Sequence, residues 1–227
     1  MFFINQNRIL NMTSPLNTTN KCSKGTSLIC VLLIFSILLN SKPLIAHGFV
    51  VNSRADYCTE LSGLNENCGA VSGLPQYILG VGRFPISGPV DGQLASAEIS
   101  QFSELDLQNQ TRWYKNDITT GPIEFIWGIN ISHPTTDFRY YITKSNWNPN
   151  APLTRSSFNL TPFCIIPVNL DELPNVVRHN CNVPNDYFGY HVIYATWDTT
   201  NEELGFYQVL DVNISENLDL IFQNGFE

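Results

Sequence analysis

Apolar and polar residues alternate with a period close to two in four stretches of the chain. These are "IEFIWGINI" (Ile123 to Ile131), "FRYYIT" (Phe138 to Thr143), "YHVIYATWD" (Tyr190 to Asp198) and "GFYQVLDVNI" (Gly205 to Ile214). Each is rich in β-branched and aromatic residues, which suit the pleated surface of a sheet. Turn-forming clusters, "NPNAP" at 148–152 and "VPND" at 183–186, separate them. No helical periodicity of comparable length competes, so the pattern predicts an all-β fold, a β-sandwich rather than a parallel sheet. Between Cys58 and about Asn109 the pattern breaks down into Gly, Pro and Ser with scattered apolar residues. A segment of that length exceeds an ordinary connection, and such segments usually carry function.

One apolar run stands apart. Leu28 to Leu39, "LICVLLIFSILL", follows Arg8, Lys21 and Lys24 and gives way to a polar stretch before Ala46. A membrane-spanning helix needs about 20 apolar residues, so a run this short predicts the core of a signal peptide. We expect a leader over 1–46 cut after Ala46, a single domain over 47–215, and an appended tail over 216–227. Leu44 at the third position before the cut departs from the usual small residue. With 227 residues and 43% apolar content, the chain can bury the core of one domain,.

The leader changes the charge and the cysteine count. Four of the 12 Lys and Arg, and none of the 20 Asp and Glu, precede His47, leaving eight against twenty and a net charge of −12. A surface so acidic disfavours nucleic acid and anionic membranes as partners and leaves neutral polymers such as polysaccharides. Of six cysteines, Cys22 and Cys30 fall in the leader; Cys58, Cys68, Cys164 and Cys181 stay. An even set behind a secretion signal predicts two disulfides, and their spacings match no compact zinc pattern. Three pairings are possible, with Cys58–Cys68 and Cys164–Cys181 favoured because each closes a short loop.

The chain has four histidines, His47, His133, His179 and His191. No metalloprotease, phosphate-loop, nucleophile-elbow or dinucleotide motif occurs. His191, inside an apolar strand, reads as structural, and His179, beside a cysteine, as a loop residue. His47 differs because cleavage after Ala46 would make it the N-terminus. An N-terminal histidine offers an α-amine and an imidazole Nδ1 from one residue, enough to close a chelate ring. One more imidazole completes a planar three-nitrogen site suited to Cu(II), and His133, at the end of "FIWGINISH", is placed to supply it.

Eight ordered blocks then carry a resemblance: "HGFV" after the leader, "SRADYC", "CGAVSGLPQ", "FPISGPVDGQLASA", "RW", "FIWGINISHPTTDFRYYITKSNWNPNAPLTRSSFNLTPFC", "HNCNVPNDYFGYHVIYATWD" and "FYQVLDVNIS". From His47 to about Ser215 the chain resembles the lytic polysaccharide monooxygenases of auxiliary activity family ten, once called chitin-binding proteins. The resemblance implies a fibronectin III or immunoglobulin-like β-sandwich with a long loop-and-helix insertion after the first strand. It implies one copper ion held by the amine and Nδ1 of His47 and by His133, with Phe206 as the axial aromatic residue, and disulfides on the same two cysteine pairs.

The activity implied is oxidative cleavage of β-1,4 linkages, at C1 or C4, in crystalline chitin or cellulose. The enzyme would be a secreted, extracellular monomer that uses an external electron donor and hydrogen peroxide or dioxygen.

Departures from the family pattern cluster on the substrate face. Gly73 stands where a platform Tyr is typical, Leu74 and Leu79 replace carboxylates, Ile131 replaces an Ala beside copper, and Asn201 replaces an Asp. Tyr77 is a candidate stacking residue for substrate, set against the alternative of a buried loop aromatic. These departures keep open a second reading, a chitin- or cellulose-binding or toxin-like protein of the same fold with little or no turnover.

Overall fold

The computed structural model describes residues 47–200 and 204–217; the leader and most of the tail expected from the sequence lie outside the described residues. Nine strands occur there: β1 His47–Val50, β2 Leu79–Val81, β3 Asn116–Thr119, β4 Gly121–Ile131, β5 Thr135–Ile142, β6 Cys164–Leu170, β7 Val176–Val183, β8 Gly189–Thr199 and β9 Leu204–Ser215. They form a sandwich. One sheet has the order β1-β4-β7, and the other β2-β9-β8-β5-β6, with β3 added in parallel to β9.

The four alternating stretches become β4, β5, β8 and β9, each within three residues of its expected ends. Their alternation is real, yet in β8 and β9 both phases are buried. Ile193, Ala195, Trp197, Phe206, Leu210 and Val212 face the other sheet, where they meet Phe125, Trp127 and Ile129 of β4. Val192, Tyr194, Tyr207 and Val209 point the opposite way, into a second core with Val71, Phe84, Leu94, Phe102 and Trp113.

That second core is built by residues 51–115, the expected insertion, which folds as short 3-10 turns (Asp56–Cys58, Gly69–Gly73, Pro75–Tyr77 and Ser100–Asp106) and the strand β2. Side chains hold the insertion where regular ladders do not. Arg54 is 1% exposed and donates from Nε and Nη2 to the two oxygens of Asp211, at 2.8 and 2.7 Å. Its remaining donors reach the Leu105 carbonyl and Gln108 Oε1, both at 2.8 Å, and its guanidinium covers Trp113 at 4.5 Å. Arg155 ties down the far loop through the carbonyls of Pro85, Ser87 and Pro89. The disulfides pair as favoured: Cys58–Cys68 inside the insertion and Cys164–Cys181 between β6 and β7, one strand from each sheet. Each contributes about 2–4 kcal/mol by restricting the unfolded chain.

A buried acid lies at one end of the larger sheet. Asp198 of β8 is fully buried opposite Asp137 of β5, and neither of its oxygens has a hydrogen-bond partner among the described residues. Its nearest ion-pair contact, Arg139 Nη1, stands 3.8 Å away, while Arg139 Nη2 is bonded to Asp137 at 2.8 Å. Burial, then the Asp137 charge, pushes the Asp198 pKa up to about 7, while Arg139 and Arg83 oppose the rise. The folded state therefore holds this proton more tightly than the unfolded chain. Its stabilising contribution is complete below about pH 4 and lost as pH rises through 7.

His179 acts in the opposite direction. Burial lowers its pKa to about 4, so its contribution grows from pH 4 to 6.5,. The difference between wild type and Asp198→Asn removes this shared component. We expect Asp198→Asn to gain about 2–4 kcal/mol relative to wild type between pH 4.5 and 7.5 in denaturant titrations. A pH-independent difference would show that Asp198 does not hold the proton.

Candidate functional site

β1 joins the smaller sheet antiparallel to β4, so that its first residue, His47, pairs with Ile131, the last residue of β4. His133 follows two residues on, in the turn before β5. Ladder register thus delivers both histidines to the same end of the sandwich. They are close enough to interact electrostatically: burial first, and then His133, lowers the pKa of His47. Both effects favour neutral imidazole, the form whose lone pair binds a metal.

Trp197 of β8 organises this end of the molecule. Its Nε1 donates to Thr135 Oγ1 at 2.8 Å, and that hydroxyl donates to the His133 carbonyl at 2.8 Å. The turn bearing His133 is held on both sides as well, by Leu173 N donating to Ser132 Oγ at 2.6 Å and Thr200 N to the Pro134 carbonyl at 2.8 Å. The same indole lies against β1, where a Cβ on Gly48 would stand 2.8 Å from Trp197 Cζ3. Glycine permits that approach. Phe206 stacks on the indole, ring centroids 4.3 Å apart, and is wholly buried. The described contacts link Phe206 to the histidines through Trp197, a residue the sequence reading did not single out. Its inward phase in "YATWD" was the available signal.

The 3-10 turn Pro75–Tyr77 packs against β1. Tyr77 is half-buried, with its ring centroid 3.9 Å from that of the His47 imidazole and the planes inclined by 58°. Ile131, also half-buried, lies across the ladder from His47. Of the departures from the family pattern, Gly73 and Leu74 are exposed, whereas Leu79 pairs with Phe206 and packs partly into the core between the sheets. Asn201 lies outside the described residues.

The other two histidines are structural. His179, expected in a loop, lies instead in β7, where its Nδ1 is 2.6 Å from the Tyr140 hydroxyl. The strand forms because alternate residues His179, Cys181 and Val183 turn inward, and the hydroxyl satisfies the buried ring nitrogen,. His191 of β8 is buried, with Nδ1 3.0 Å from Thr143 Oγ1.

Comparison with known proteins agrees with this architecture. Residues 47–212 match the family described as lytic polysaccharide mono-oxygenase, cellulose-degrading. The chain is 43% identical over 189 residues to the GlcNAc-binding protein A of Shewanella oneidensis, an alignment covering 83% of this chain and 40% of that protein. The chain thus spans about two fifths of the length of the curated relatives it matches. An auxiliary activity family ten lytic polysaccharide monooxygenase from Photorhabdus luminescens superposes with a TM-score of 0.73 at 43% identity, covering 75% of this chain and 100% of that one. A Bacillus amyloliquefaciens protein, solved in complex with Cu(I) after photoreduction, superposes with a TM-score of 0.68 at 33% identity, covering 74% and 100%. Fold and sequence agree over the same span, and the chain belongs to the lytic polysaccharide monooxygenases of auxiliary activity family ten.

Proposed function

We propose that this chain is a secreted, extracellular copper monooxygenase that cleaves β-1,4 linkages of insoluble chitin or cellulose, acting as a monomer. Its catalytic domain spans 47–215, freed by removal of a leader over 1–46 and followed by a tail over 216–227. The observation that carries this reading is the β1–β4 register, which sets His47 beside His133 at one end of the sandwich.

The donor set suits one copper ion. Among the described residues no three His, Cys, Asp or Glu side chains converge. His47 and His133 would supply two imidazole nitrogens, and the amine released by cleavage before His47 the third. Nitrogen donors of this kind suit copper. A Cu(I) complex of a related protein supports the assignment.

Bound copper, reduced by an external electron donor and supplied with hydrogen peroxide or dioxygen, would provide the oxidant that removes hydrogen from C1 or C4 of the sugar. The remaining roles belong to the protein. His47 and His133 would hold the metal through imidazole nitrogens, and Thr135 and Trp197 fix the backbone that carries His133. Phe206, wholly buried against Trp197, would back the site with an apolar ring that brings no competing donor. Tyr77 and Ile131 would border the face that meets substrate, Tyr77 packing on the His47 ring and Ile131 pairing with His47 across the ladder.

A binding protein with little or no turnover is the second reading. It is favoured by Ile131 at that position and by relatives named for binding GlcNAc. Mass spectrometry of soluble products separates the two. Protein beginning at His47, loaded with copper and given ascorbate and a little peroxide, is expected to release aldonic-acid or ketoaldose oligosaccharides from β-chitin or cellulose. His133→Ala and reductant-free controls are expected to release none. Copper binding without oxidised products from either polymer would favour the binding protein.

A further inference from the structure

Metal-binding imidazoles are usually oriented through their second ring nitrogen, which hydrogen-bonds to a carboxylate, a carbonyl or water. His47 departs from that arrangement. Its Nε2 is buried and has no hydrogen-bond partner among the described residues. What meets the ring is Tyr77, at a centroid distance of 3.9 Å and an inclination of 58°.

Tyr77 is itself held firmly for a loop residue. Pro75 opens its turn with a fixed φ, and the Pro75 carbonyl accepts from the buried Gln208 Nε2 at 3.1 Å,. Tyr77 N donates to the Leu74 carbonyl at 3.1 Å. On the other side, Ile78 is 1% exposed and its carbonyl accepts from Tyr207 N at 3.0 Å. Both anchors, Gln208 and Tyr207, belong to β9, so the turn carries the rigidity of a central strand to the histidine.

We propose that Tyr77 is a positioning residue for the metal site, its ring fixing the orientation of the His47 imidazole, whose Nε2 has no hydrogen-bond partner among the described residues. This rests on the reading that His47 binds copper. Ring packing suits the task because an imidazole lying against an aromatic ring resists rotation about its χ2, the torsion that a hydrogen bond at Nε2 would otherwise set. The hydroxyl is not needed for that effect. The ring contact also gives Tyr77 a function apart from substrate stacking, one that acts in the absence of polysaccharide.

The test uses protein beginning at His47, Cu(II) as the probe, and no substrate. Titration calorimetry and electron paramagnetic resonance are recorded for wild type, Tyr77→Ala, Tyr77→Phe and His133→Ala. Tyr77→Ala is expected to bind Cu(II) about 10-fold more weakly and to change the copper hyperfine pattern, the order of effect seen when an orienting partner is removed. Tyr77→Phe is expected to restore both, since it keeps the ring. If Tyr77→Ala fails to fold, Tyr77→Leu keeps much of the volume without a flat face and carries the same expectation. Wild-type spectrum and affinity in the folded variant without the ring would overturn this role and leave the proposed function standing. A wild-type protein that binds no Cu(II), or a His133→Ala variant that binds it as well as wild type, would overturn the copper site and this role together.

Discussion

A single methionine left in front of His47 is expected to weaken Cu(II) binding by about 100-fold or more in titration calorimetry, with the melting temperature of the metal-free protein unchanged. The expectation follows from which nitrogens belong to one residue. With His47 at the N-terminus, its amine and imidazole close a chelate ring, and an α-amine of ordinary pKa near 8 gives up its proton to a metal with little resistance. An added residue converts that amine into an amide, a poor ligand near neutral pH, and moves the free amine to a residue without an imidazole. His133 and the His47 ring then remain as separate donors. The position of His47 at the start of β1, paired with Ile131, is unaffected because the ladder does not depend on the amine. Equal affinity in the two forms would show that the amine is not a ligand.

The second large effect concerns the insertion. Arg54→Leu is expected to destabilise the fold by about 3–5 kcal/mol, because it leaves the Asp211 carboxylate, 1% exposed, without its counter-charge,. Tyr190 still donates to Asp211 Oδ1 at 2.7 Å, which satisfies one oxygen and leaves the charge uncompensated. The Leu105 carbonyl and Gln108 also lose their donor. For a domain of this size the loss corresponds to a fall in melting temperature of roughly 10 °C, measurable by calorimetry. The double variant Arg54→Leu/Asp211→Leu is expected to recover part of it, since the unpaired charge goes with the pair. Strict additivity of the two single changes would show that the residues do not act as a pair.

The insertion also shows why some elements were legible in the sequence and others were not. β4, β5, β8 and β9 could be read because their alternation belongs to the residues themselves. β7 was missed although "VVRHNCNV" alternates cleanly in burial: its inward positions include a histidine and a cysteine, whose polarity hides the pattern until Tyr140 and the disulfide satisfy them. β6 contains Pro167, which argues against a strand unless it lies at an edge, and it ends the β2-β9-β8-β5-β6 path,. β1, β2 and β3 have three or four residues each, too few to show a period, and they exist because β4 and β9 offer them ladder partners.

The same division runs through the candidate site. His47 and His133 stood out in the sequence because histidines are scarce in it and because of the predicted leader and the family resemblance. Trp197 looked like an ordinary aromatic residue and Tyr77 like a candidate for substrate stacking, since the contacts that matter for both are with distant groups. Trp197 meets Thr135, Gly48 and Phe206, and Tyr77 meets His47, all contacts made by folding rather than by neighbours in the chain.

The sequence by itself determined the all-β class, the long central strands, the favoured disulfide pairs and the two candidate ligand residues, because each follows from local periodicity, spacing or residue chemistry. Only the tertiary structure decided that both phases of β8 and β9 are buried, that Asp198 faces Asp137 away from solvent, and that the Tyr77 ring packs against the His47 imidazole. Burial and pairing of this kind depend on which surfaces meet across the sandwich, and side-chain desolvation has no value until that partner is in place.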